Sequence, residues 1–241
     1  MPKSLKSRSW LIVEPSAEPA AVQSAGADRI LLDLTGSSVS WQAVSEFSKA
    51  WSDMEPDQPL SFLLPPFLSG RTETAAGNAV RAGAVSVFLS GARSGAEVQR
   101  LDVILRVEEI RGGDAPGGTA IVALANAAGM LAAASFERCS RRLRGIGWEA
   151  QGGPLSDTAR LARATIRLAA SAAGVVALDA VSPTGDDAAF RSECLAAREN
   201  GFAGKLSRQS RQIPIINHVF ADQASAPVGR TISKTSEPPS A

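Results

Sequence analysis

Short apolar runs rich in Val, Ile and Leu alternate along the chain with longer stretches whose apolar residues recur at helical spacing. That alternation is the signature of a parallel sheet wrapped by helices. The runs predict strands near 10–13, 29–34, 60–64, 85–89, 119–125, 143–148, 175–181 and 202–207. Helical segments are predicted near 15–25, 40–53, 71–82, 94–110, 126–140, 156–173, 184–200 and 209–220. Gly26, Gly83, Gly174 and Gly201 stand where a helix hands over to a strand, because the left-handed position that ends a helix costs little only for glycine. Eight such units with short connections predict a closed (β/α)8 TIM barrel, a single α/β domain. An open doubly wound sheet would carry Gly-x-Gly-x-x-Gly after its first strand, where Glu14-Pro15-Ser16 stands instead. The expected boundaries are an N-terminal extension over 1–8, the barrel over 9–220 and a disordered tail over 221–241. The tail is polar, rich in Ser, Pro and Thr, and has no apolar period.

Composition narrows the function classes without choosing one. The 241 residues are 44% hydrophobic and 20% charged, with a formal net charge of +1, so no whole-protein field draws in nucleic acid or an acidic membrane. The basic run from Arg138 to Arg144 reads as a solvated helix end. Cys139 and Cys194 lie far apart with no partner at metal-ligand spacing and read as reduced structural residues. No stretch approaches the ~18 apolar residues of a membrane span, and the opening MPKSLKSRSW lacks the apolar core of a secretory signal. A cytoplasmic location is expected.

The segment GFAGKLSRQSRQIPIINHVF, residues 201–220, carries a specific resemblance. It is similar to the last strand and helix of the citrate lyase beta-subunit-like group of the HpcH/HpaI aldolase superfamily, which reads Gly-Phe-Asp-Gly-Lys-Leu, Ile-His-Pro and then Gln-Ile-Pro-Val-Val-Asn. Gly204, Lys205, Leu206, Gln212, Ile213, Pro214 and Asn217 keep that frame, while Arg208, Gln209 and Ser210 replace the Ile-His-Pro. RSWLIVEP (8–15), AGADRILLDL (25–34) and SAAGVVALDAV (171–181) resemble further segments of the group in the same order.

The resemblance implies a TIM barrel that holds magnesium on a Glu after the fifth strand and an Asp after the sixth, with an Arg ending the third strand to grip substrate oxygens. Two carboxylates suit a hard cation, and the cation polarises the carbonyl of a keto acid or acyl substrate as a carbon–carbon bond breaks. Here the glutamate position falls on Ala125, or on Asn126 with a one-residue gap. The sixth-strand acids fall on Gln151 and Gly152, and the arginine falls on Leu63. No metal ligand set is therefore expected, and no cofactor, although an active lyase would need magnesium.

Functional groups of a barrel gather at strand ends and the loops that follow. Asp33, Glu149 and Lys205 are the candidate catalytic residues, and Asn126, Gln151 and Arg208 the candidate substrate contacts. Asp33 reads either as a cap for the loop after it or as a residual ligand-binding acid. Asp179 and Lys205, on neighbouring strands, are expected to form an ion pair inside the barrel end. Glu149 is expected at the surface or behind the site, Trp148 as a pocket floor, and the lone His218 on a helix surface. The reading is a catalytically degenerate citrate lyase beta-like barrel, a homo-oligomer that binds an acyl-CoA, acyl or keto-acid ligand or a protein partner. The alternative is an active carbon–carbon lyase with relocated site residues.

Overall fold

A computed structural model describes residues 7–113, 115–150 and 156–221. The 222–241 segment, residues 1–6 of the N-terminal extension and Gln151 lie outside the described residues. Eight parallel strands, β1 (Ser9–Val13), β2 (Arg29–Asp33), β3 (Ser61–Leu64), β4 (Ser86–Ala92), β5 (Ala120–Ala125), β6 (Leu143–Trp148), β7 (Val176–Asp179) and β8 (Gly204–Ser207), close into a barrel in chain order. The helices between and after them are α1 (Pro19–Ser24), α2 (Trp41–Met54), α3 (Thr72–Arg81), α4 (Gly95–Gly112), α5 (Ala127–Leu131), α6 (Asp157–Ala173), α7 (Asp187–Glu199) and α8 (Ile213–Val219). No helix among the described residues is long and apolar enough to cross a membrane.

Local sequence explains where these elements stop and start. Ser156 accepts a hydrogen bond from the Ala159 amide to begin α6, Ala159, Ala162, Ile166, Ala169 and Ala170 form its buried stripe, and Gly174 ends it at φ 67°. Gly26, Gly83 and Gly201 also adopt positive φ, as the helix-stop pattern requires. Three predicted helices are shorter than expected. The first begins only at Pro19, whose fixed φ suits a first turn. The last is divided into a 3₁₀ turn over Ser210–Gln212 and α8, with Pro214 in the first turn of α8. The 126–140 segment becomes α5 and a 3₁₀ turn over Ala133–Phe136, and it ends at Arg138, which has a positive φ of 55°.

Strand alternation divides the core in two. Trp10, Ile12, Leu31, Leu63, Phe88, Val122, Leu124, Leu178 and Leu206 fill the barrel, and the intervening residues pack outward on the helices. β6 contributes only Gly145 and Gly147 to the interior, where an added Cβ would press on Val122, Leu124 and Val176. Trp10 and Phe88, with ring centroids 4.8 Å apart, supply the bulk there.

Two polar clamps fasten the N-terminal end of the barrel. Arg8 makes a two-pronged pair with Asp28 at 2.6 and 2.9 Å, and Ser9 donates to Asn217, whose amide donates to the Gly26 carbonyl. Asn217 thereby ties the last helix to the first strand. On the far side, buried Arg142 grips both oxygens of Glu109 at 2.8 and 2.6 Å and reaches Asp102 at 2.8 Å. Glu109 also accepts from the amides of Gly117 and Thr119. Burial opposes its ionisation, yet Arg142 and the two amides hold its pKa down to about 2.

Two outcomes follow for stability. A carboxyl whose folded pKa lies below its unfolded value stabilises the fold above the unfolded value, and that contribution fades as pH falls through the folded one. Glu109 should thus contribute on the order of 3 kcal/mol at neutral pH that declines from about pH 4.5 toward about pH 2. Denaturant unfolding across that range should show the decline in the wild type and lose most of it in Glu109→Gln. Gly129→Ala should lower stability by roughly 1–3 kcal/mol, because its Cβ would meet the Ala92 carbonyl oxygen in the backbone of β4; an unchanged melting temperature would show that α5 can shift away.

Candidate functional site

A cavity of about 460 Å³ opens at the C-terminal mouth of the barrel. Its floor is the uppermost inward layer, Ile12, Leu63, Leu124 and Leu206, and its rim carries Thr35, Ser90, Trp148, Glu149, Ser182, Arg208 and Gln209. Each rim residue follows from strand phase or from the loop after a strand. Gly145 and Gly147 face inward on β6, so Glu149 does too; Leu206 faces inward on β8, so Arg208 continues into the mouth.

Glu149 is half-buried, and its Oε1 accepts the Ser90 hydroxyl at 2.6 Å and the Gly91 amide at 2.7 Å. It therefore lines the cavity, in contrast to the placement at the surface or behind the site expected from sequence. Arg208 reaches from the end of β8 past β1 to Asp33 on β2, with Nη2 2.6 Å from Oδ2 of that buried carboxylate, and lies 3.9 Å from exposed Glu14. The other oxygen of Asp33 accepts the Thr35 amide at 2.8 Å and the Thr35 hydroxyl at 2.7 Å. Asp33 is thus a loop cap and an ion-pair partner together. It makes no contact with Glu149.

Lys205 is not at the mouth. It is the outward residue of β8, between inward Gly204 and Leu206, and it sits in the layer between sheet and helices with its Nζ 2.6 Å from Asp179 Oδ2. The ion pair expected inside the barrel end therefore forms outside the barrel wall. Arg163 of α6 lies 3.1 Å from Asp179 Oδ1, and Glu193 of α7 lies 3.8 Å from Lys205. Burial would raise the Asp179 pKa, but the Lys205 and Arg163 charges more than reverse this and hold it below the usual carboxylate range. The cluster still shapes the mouth at second hand. Asp179 accepts the Trp148 indole N–H at 2.9 Å, and Glu193 accepts the Ser182 hydroxyl at 3.0 Å; Trp148 and Ser182 are both cavity walls. The expectation that Trp148 floors a pocket is met at a wall.

Asn126 serves the fold: its side chain accepts the Gly129 amide to start α5 and donates to the Gly91 carbonyl at 3.1 Å. Leu124 faces the barrel and Ala125 the helices, so Asn126 is the position from which a glutamate would face the mouth. Ser90 and Ser182 were not among the residues singled out from sequence. Only the two-residue period of β4 pointed to Ser90, and the Ser182 contact depends on long-range packing.

The residues present do not suit a magnesium ion. Among the described residues no three His, Cys, Asp or Glu side chains converge. Asp33 has both oxygens engaged, Glu149 stands alone on the opposite rim, and leucine occupies the floor where a substrate-gripping arginine was expected. Residues 151–155 read Gln-Gly-Gly-Pro-Leu and bring no carboxylate.

No family model matches the sequence, and no curated protein matches it. Solved structures do. CitE from Mycobacterium tuberculosis in complex with magnesium and acetoacetate superposes with a TM-score of 0.71 at 24% identity, over 90% of this chain and 92% of that one. The citrate lyase beta subunit from the same organism gives 0.68 at 25% identity, over 90% and 97%, and RipC from Yersinia pestis gives 0.70 at 22%, over 90% and 96%. These likenesses carry the barrel fold, and one of the three is a citrate lyase beta subunit, the namesake of the group that residues 201–220 resemble.

Removing one partner of a buried ion pair leaves the other charge without compensation. Lys205→Met should therefore cost roughly 3–5 kcal/mol in denaturant unfolding and alter Trp148 fluorescence, because the carboxylate that anchors the indole is disturbed. A mild variant with unchanged emission would show that Arg163 alone satisfies Asp179.

Proposed function

We propose that this chain is a member of the citrate lyase beta-subunit-like group that has given up magnesium-dependent carbon–carbon cleavage and uses the barrel mouth to bind a small acyl ligand. The observation that carries this reading is the composition of the mouth. An apolar floor built partly from Leu63 stands in place of a substrate clamp, Asp33 is committed to Arg208 and Thr35, and Glu149 has one oxygen held by Ser90 and Gly91. An acyl chain can rest on Ile12, Leu63, Leu124 and Leu206, with its polar end toward the polar rim of Thr35, Ser90, Glu149 and Gln209. CitE has been solved with magnesium, acetoacetate and coenzyme A, and a relative of that protein lacking its own charged site residues would retain shape rather than chemistry.

The alternative of a relocated lyase meets a geometric obstacle. Lys205 and Glu149, which would have to act together, lie on opposite sides of the barrel wall, and Lys205 is buried against Asp179. The exposed apolar side chains Val103, Val107 and Ile110 on α4, and Leu161 and Leu168 on α6, support assembly into a homo-oligomer.

The test pairs wild type with a rebuilt site. Asn126→Glu, Leu63→Arg and Gly152→Asp together restore two carboxylates and a clamp, with Gly152 placed by sequence register alone. Assayed on oxaloacetate and on 3-hydroxyacyl-coenzyme A thioesters, the wild type should show no turnover above the uncatalysed rate with or without chelator. The triple variant should gain chelator-sensitive ligand binding. Turnover by the wild type, whether abolished by chelator or not, would overturn the proposal.

A further inference from the structure

Glu149 and Arg208 are the two charged side chains among the described residues lining the mouth cavity, and they are not equivalent. Arg208 already faces a buried carboxylate, Asp33, at 2.6 Å, with Glu14 a further 3.9 Å away. Its charge is balanced before any ligand arrives. Among the described residues Glu149 has no ion-pair partner: Oε1 is held by Ser90 and Gly91, two neutral donors, and its second oxygen has no hydrogen bond. Arg71 donates to the Thr35 carbonyl and Arg211 to the Gln209 side chain, with Asp187 3.7 Å from Arg211, so among the described residues it is at Glu149 that the rim holds a negative charge without an ion pair above an apolar floor.

We infer that the mouth selects an apolar group ending in a hydrogen-bond donor, an ammonium above all and a hydroxyl second, and rejects free carboxylates. The inference rests on the proposed ligand-binding role and specifies its chemistry as an amino- or hydroxy-substituted acyl group in place of a keto-acid anion. The free oxygen of Glu149 is an acceptor fixed by two bonds to its partner oxygen, so it meets an incoming donor with little loss of side-chain freedom. A carboxylate would face like charge across a low-dielectric cavity and would have to displace Asp33 from Arg208 to be neutralised. The branched aliphatic floor and the Trp148 wall accept the body of either ligand, so charge decides between them.

Three probes of nearly equal shape isolate that charge: isobutylammonium, isobutanol and isovalerate, titrated into the full chain and followed by ligand-observed NMR. The ammonium should bind at least tenfold more tightly than isovalerate, with isobutanol between them. Glu149→Gln keeps an acceptor for Ser90 and Gly91 and should weaken the ammonium about tenfold, to the level of the alcohol, while the alcohol changes less than twofold. Leu63→Arg, which adds a cation to the floor, should shift the preference toward isovalerate and gives a second reading if Glu149→Gln fails to fold. Isovalerate binding as tightly as the ammonium, or an ammonium preference untouched by Glu149→Gln, would overturn the inference while leaving a ligand site in place. Saturation by none of the three probes would remove the ligand-binding role and this inference with it.

Discussion

The structure turns on a carboxylate that no water reaches. Asp179 ends β7 in the seam between sheet and helices, and a buried charge of this kind is tolerable only when it is fully paired. Lys205 from β8 and Arg163 from α6 supply the pairing, and the Trp148 indole from β6 takes the remaining acceptor direction. Three strands and a helix are thereby fixed in register around one anion. Two walls of the mouth, Trp148 directly and Ser182 through Glu193, inherit their positions from it. The pocket's shape is set from behind, by polar contacts that a ligand would never touch.

This arrangement changes the meaning of the segment that first revealed the resemblance. Its retained residues close the barrel: Lys205 pairs with Asp179, Gln212 bonds the Ser207 hydroxyl and the Thr184 carbonyl, and Asn217 ties α8 to β1. The substituted residues are the ones that meet solvent at the mouth, with Arg208 and Gln209 lining the cavity. Leu206 is the retained residue of this segment that also lines the cavity, while the polar residues of its rim, Arg208 and Gln209, are substituted. The likeness to solved structures is a likeness of the barrel fold.

The fold was legible because its signals are local and repeated. Apolar runs of strand length, glycines at helix ends and a missing dinucleotide fingerprint all lie within a few residues of the features they mark. The site was legible only in part. The Asp179–Lys205 ion pair followed from neighbouring strands, yet it was set inside the barrel end because a family position does not say which face of a strand a residue occupies. Glu149 was misplaced for the opposite reason: its facing depends on Gly145 and Gly147 filling the inward positions of β6, and glycines give no hydropathy phase. The partnership of Arg208 with Asp33 spans strands β8 and β2 across β1, a contact of such sequence separation that no motif announces it.

The central claim is that the mouth lacks a magnesium-dependent lyase site, and titration calorimetry of the wild-type chain with magnesium chloride, alone and with oxaloacetate present, addresses it most directly. Magnesium is held through one or two carboxylates together with substrate oxygens and waters, and at this mouth Asp33 is taken up by Arg208 and Thr35, which leaves one oxygen of Glu149. The account predicts heats of dilution only, up to about 5 mM magnesium, whether or not oxaloacetate is present, since a site this poor in ligands leaves the ion in water. Saturable binding at micromolar magnesium that requires Glu149 or Asp33 would contradict it.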